Sequence, residues 1–175
     1  MIQLCCTKRV QEHFAIPAEA LHNPIRGNST LGNWYLDVIS IDGQACLLCM
    51  SERTLLSFLL VEDDTKANLG ETFVNGLLKL LQAEALSHEQ FEAALKGCEE
   101  ITVTSATNER ALASLRSLAD HYQWGIDGSG GYKRCDLRAI TSGINRMPQP
   151  DIGGGGAISM AKELISSATS QNWVS

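Results

Sequence analysis

The stretch "NWYLDVISI", then Asp42-Gly43, then "QACLLCMS" constrains this chain more than any other part of it. Its first part alternates. Trp34, Leu36, Val38 and Ser40 share one side and Tyr35, Asp37, Ile39 and Ile41 the other, which is the period of a strand. Asp-Gly suits a tight two-residue hairpin, because both central positions take positive φ and these two residues lose least by it. A third apolar run, "TLLSFLLVE", follows Ser51-Glu52-Arg53-Thr54. The spacing predicts an antiparallel meander from Asn33 to Glu62.

Elsewhere the period changes. Leu69, Phe73, Leu77 and Leu80, with Leu78 and Leu81 alongside, recur at helical spacing. Gly70 and Gly76 each weaken that helix by about 1 kcal/mol relative to Ala, so close packing is expected to compensate. Ser87 and Gln90 form the pattern of a capping box, opening a helix over Glu89 to Lys96 that ends at Gly97. Ile2, Leu4 and Cys6 suggest an opening strand, followed by a short helix from Lys8 to Phe14 and an irregular connection from Ile16 to Gly32. "EEITVTSAT" reads as a strand. Thr107 or Asn108 caps the next helix, striped by Leu112, Leu115, Leu118 and Tyr122. Gly125 to Gly131 reads as a loop, Arg134 to Arg146 as a helix stopped by Met147-Pro148, and Ala157 to about Ala168 as a last helix. The fold class is α+β, with an antiparallel sheet and helices on one face, in one domain over residues 1–170 with a frayed end at 171–175.

With 175 residues, 44% of them hydrophobic, the chain has enough apolar surface for a globular core. The apolar run Thr54 to Val61 is far short of the roughly 20 residues that cross a bilayer. The basic pair Lys8 and Arg9 is followed by Glu12 and His13, unlike a secretory leader. A soluble, cytoplasmic bacterial protein without a membrane partner is the expectation. Net charge of −6 argues against coating duplex nucleic acid, which needs phosphate-neutralising cations. The acidity belongs to Thr54 to Glu100, whereas Lys133, Arg134, Arg138 and Arg146 gather in the last third.

Cys46 and Cys49 have the spacing of half a zinc site. On a strand, however, residues three apart face opposite ways, and Cys5-Cys6, Cys98 and Cys135 supply no second pair. Structural thiols are expected, with neither metal nor cofactor. The histidines are scattered, and both "GIDGSGGYK" and "DIGGGGAISM" lack the pattern of a phosphate or dinucleotide loop. Without an assembled catalytic set, the leading expectation is a non-enzymatic binding or regulatory module with a protein partner or a second copy. The alternative is an enzyme or ligand-binding domain for a phosphorylated or anionic small molecule. It would use Arg134, Arg138 and Arg146 with amides of Gly153 to Gly156. Glu52, Arg53, Asn108 and Asn145 are candidates for a shared cleft.

Cys6-Thr7-Lys8, Leu31-Gly32-Asn33-Trp34-Tyr35, Ser51-Glu52-Arg53-Thr54-Leu55, Thr107-Asn108-Glu109-Arg110 and Asn145-Arg146-Met147-Pro148 occur in that order. In this the chain resembles a bacterial family classed as domain of unknown function 6933. The resemblance implies a recurrent bacterial unit of the kind encoded near mobile DNA, and it brings no activity or catalytic residue with it.

Overall fold

The computed structural model describes residues 1–61 and 68–171. Three strands follow the expected meander: β2 (Trp34–Ile41), β3 (Gln44–Ser51) and β4 (Ser57–Val61). Asp42 and Gly43 both take positive φ, 50° and 76°, as the tight turn requires. The register pairs Trp34 with Ser51, Leu36 with Cys49 and Cys49 with Phe58. Trp34, Leu36, Cys49 and Phe58 therefore share one face, and Tyr35, Met50 and Ser57 the other. Glu62, the expected end of the meander, lies outside the described residues.

The sheet is mixed rather than antiparallel throughout. β1 (Ile2–Cys6) pairs in parallel with β2 and with β5 (Ile101–Ser105), giving the order β4-β3-β2-β1-β5. Parallel neighbours need a long crossover, and residues 7–33 supply one. It contains α1 (Lys8–His13) and a turn of 3₁₀ helix at Ala18–Ala20. α2 (Leu69–Ala83) and α3 (His88–Leu95) come between β4 and β5. α4 (Glu109–Gly128), α5 (Leu137–Arg146) and α6 (Ala157–Gln171) complete the chain.

Helices cover both faces of the sheet, not one. Phe73 of α2 meets Trp34 edge to face, ring centroids 5.2 Å apart, on the first face. Tyr122 of α4 meets Ser57 on the second. The reason lies in β3 and β4, whose residues are buried on both sides along most of their length, so neither face tolerates water. Gly76 permits the approach of α2: a Cβ there would stand 2.4 Å from the Phe58 ring.

The capping expectations hold. Ser87 and Gln90 form a reciprocal box, and the Asn108 side chain accepts from the amides of Arg110 and Ala111. The expected glycine loop from Gly125 is instead the last turn of α4, which continues to Gly128 because Tyr122 and Ile126 are buried and Gly125 packs against Ile140. Residues 132–134 form a separate 3₁₀ turn, so α5 begins only after the Asp136 cap. α6 runs on to Gln171, and the rest of the expected frayed end lies outside the described residues. No helix among the described residues is long and apolar enough to cross a membrane.

Candidate functional site at the β4 edge

An edge strand turns the backbone groups of alternate residues away from the sheet. In β4 these are Ser57, Leu59 and Val61, because the neighbouring Leu56 carbonyl accepts from Ser51 of β3. Ser57 is closed off by a side chain. Its amide donates to Asn145 Oδ1 at 2.9 Å, and Asn145 Nδ2 donates to its carbonyl at 2.8 Å. The carboxamide thus does for one residue what a neighbouring strand would do. α5 places it there by burying Thr141, Ile144 and Asn145 on one stripe. The Tyr122 hydroxyl lies 3.2 Å from Ser57 Oγ, and burial pushes its pKa up to about 12, so it stays neutral in this contact.

Beyond Asn145 a cleft of about 930 Å³ opens over β4. Phe58, Leu59 and Leu60 line it from the strand, Leu80 from α2, and Leu137 and Thr141 from α5. Among the described residues nothing bonds to the outward backbone pair of Leu59. One end carries Glu84, whose carboxylate is 3% exposed. Arg146 donates to it from both terminal nitrogens, at 3.2 and 2.9 Å, and Lys162 lies 3.7 Å away. That hydrogen bond and the carboxylate's charge raise the Arg146 pKa, so the guanidinium remains charged.

Three of the residues expected from sequence meet at this cleft: Arg138 lines it, while Asn145 and Arg146 flank it. The others lie elsewhere. Glu52 and Asn108 adjoin the Tyr35 hydroxyl on the second face, where burial raises the Tyr35 pKa, Cys5 and Glu52 add to the rise and Asn108 offsets it. Arg53 turns the other way, donating to the Thr30 carbonyl and packing over Gly32. Arg134 folds back beside Gly130. The amides of Gly153 and Gly154 donate to the carbonyls of Pro150 and Gln149. Arg146 meets Gly156 only through its backbone and turns its guanidinium to Glu84, so the three arginine side chains do not gather at the glycine tract.

Cys46 and Cys49 lie within β3 and face opposite ways, as strand alternation requires. Cys5 and Cys6 are buried thiols with pKa values pushed up to about 12, which keeps them from acting as thiolate nucleophiles. Among the described residues, no three His, Cys, Asp or Glu side chains are grouped so as to hold a metal ion. Sequence reading passed over Asp37, which is 4% exposed. It accepts from Thr7 Oγ1 at 2.7 Å and pairs with the Arg9 guanidinium, tying α1 to β2. A carboxylate inside an alternating strand, with Thr7-Lys8-Arg9 nearby in the chain, was the available signal. The outward backbone pair of Leu59 was also missed, because nothing local says which edge of a strand stays unpaired.

No curated protein matches this sequence. Among solved structures the chain is similar to the catalytic core domain of BIV integrase, at 13% identity, covering 77% of this chain and 95% of that one with a TM-score of 0.49. A likeness at that level assigns no activity. The family model described as domain of unknown function (DUF6933) matches residues 3–160, most of the chain, and the protein belongs to that family.

Proposed function

We propose that the protein is a binding module that takes an extended segment of a partner protein onto the edge of β4. The observation that carries this reading is the division of labour along that edge. Asn145 satisfies Ser57, while the next outward residue, Leu59, lines a cleft of about 930 Å³. Main-chain pairing to an exposed edge supplies affinity without a catalytic group, and flanking pockets supply selectivity. Arg138, Asn145 and Arg146 would serve this site, and Glu52, Arg53, Asn108 and Arg134 would not. The setting beside mobile DNA rests on the family resemblance alone.

A phage-displayed library of short random peptides, selected on the protein and counter-selected on Ala139→Trp, tests the reading. Ala139 is exposed and lines the cleft, so the indole fills the space without touching the core. Clones that lose at least about tenfold in affinity on the variant, equivalent to ~1.4 kcal/mol, and that shift the Leu59 amide resonance support it. Clones indifferent to Ala139→Trp, or a Leu59 amide unmoved by every binder, would sink it.

A further inference from the structure

The two walls of the cleft belong to opposite faces of the sheet. α2 packs on the first face through Phe73 and Gly76, and α5 on the second through Asn145. The edge of β4 lies between them, and both helices line the cleft with it. Packing of each helix on its own face does not fix how far its end stands from the other. A bond that passes round the edge can fix it.

Glu84 and Arg146 make such a bond. Glu84 is the C-cap of α2, and Arg146 is the last residue of α5. A carboxylate at a helix C-terminus opposes the helix dipole, and one that is 3% exposed has also given up its water. Both costs fall on α2, whereas the compensation comes from outside it. Arg146 donates to both carboxylate oxygens, a geometry that fixes direction as well as distance, and Lys162 of α6 stands 3.7 Å away. Ser142, one turn back on α5, aims the guanidinium by accepting from Nη1 through its Oγ at 2.6 Å. Ser142 and Glu84 both line the cleft.

We propose that Glu84 and Arg146 form a clasp that holds α2 and α5 at a fixed spacing across the β4 edge. Glu84 is then a positioning residue: it acts on the site through α5, by keeping the walls in the arrangement that an extended segment enters. Walls set in advance spare the ligand the cost of ordering them. This rests on the edge-binding reading above and goes further by naming what controls that site.

Glu84→Gln keeps the shape of the side chain and removes the charge that holds Arg146. Nitroxide labels at Asn75 on α2 and Gly143 on α5 report the spacing of the walls in the free protein by double electron–electron resonance. Both positions are exposed and neither lines the cleft, and a Cβ at Gly143 meets nothing within 4 Å. The chain has six cysteines, so the labels are carried on unnatural residues. The expected result is a narrow distance distribution that becomes broader and longer in Glu84→Gln, with about a tenfold loss of affinity for a clone sensitive to Ala139→Trp. Arg146→Lys keeps the charge but cannot span both oxygens, so it should fall between the two and serves in place of Glu84→Gln if that variant does not fold. Asp151→Asn breaks the exposed pair with Arg110, away from the cleft, and should move neither readout. An unchanged distance distribution overturns the clasp, whatever the peptides do. A broadened distribution with unchanged affinity overturns the positioning role. Neither result bears on edge binding itself, which Ala139→Trp decides.

Discussion

The two edges of the sheet are treated in opposite ways. At β5, a segment of the chain's own backbone meets the edge at one residue. Leu21 bridges Val103, the His22 amide donates to the Val103 carbonyl, and Thr104 Oγ1 donates to the His22 carbonyl. Gln3 then fixes the outgoing segment by donating to the Asn23 carbonyl and accepting from the Ile25 amide. At β4 a single side chain, Asn145, closes one residue, and the edge beyond it faces a cleft. Unpaired edges invite association with other chains. The fold thus meets the β5 edge with a segment of its own backbone and the β4 edge with one side chain beside a cleft, which is the difference the proposed edge binding would use.

One treatment should erase the difference between the edges. Both depend on the interior strands of the sheet, and in one of these, β1, burial pushes the Cys5 and Cys6 pKa values from 9.0 to about 12. A group with a raised folded pKa gives stability that is fully present below its unfolded value and is lost as pH rises through the folded one. The window is therefore about pH 9 to 12, and stability should fall by roughly 2–3 kcal/mol per thiol by pH 11. Urea midpoints across that range measure the loss. Cys5→Ala should remove one thiol's share of the loss, and an unchanged slope would show that Cys5 is not among its sources.

The next largest effect should strike β4 alone. Asn145→Ala leaves the outward amide and carbonyl of Ser57 without the carboxamide that satisfies them, at about 1–3 kcal/mol for each buried group. We expect a loss of ~3 kcal/mol in urea unfolding, with faster amide exchange at Ser57 and unchanged exchange at His22. Equal acceleration at both would mean that the edges are not independent. At β5, Gln3→Ala should cost about 2 kcal/mol, because it frees two backbone groups and empties a buried position. Exchange should then quicken at His22 and Ile25 and stay unchanged at Ser57.

The centre of the sheet was legible in the sequence and its edges were not, for a physical reason. Trp34 to Ser51 announces itself because strand alternation and an Asp-Gly turn are local signals. Asn108 and Ser87 announce themselves because a cap bonds within three residues of itself. The pairing of β1 between β2 and β5 joins segments about 30 and 100 residues apart, and no periodicity encodes such a partner. Leu21-His22 lies between Pro17 and Pro24 and shows no strand pattern, because it contributes one bridge rather than a ladder. Gly125 reads as a breaker, yet its closeness to Ile140 lets α4 and α5 pack. Asn145 was legible as a residue of interest. Its partner, Ser57, lies 88 positions away and appears only when the sheet is assembled.

The smallest expected effect bears most directly on how the β5 edge is closed. Thr104→Val keeps the size and branching of the side chain and removes only the hydroxyl that donates to the His22 carbonyl. One hydrogen bond of this kind contributes about 1 kcal/mol. The backbone bond from His22 to Val103 survives the substitution, so the segment should stay in place with faster exchange at His22 and no change at Ser57. If stability instead falls by as much as it does in Gln3→Ala, the hydroxyl is the anchor and the backbone bridge follows from it. In that case the β5 edge, like β4, is closed by one side chain. The contrast between the two edges then reduces to the cleft alone.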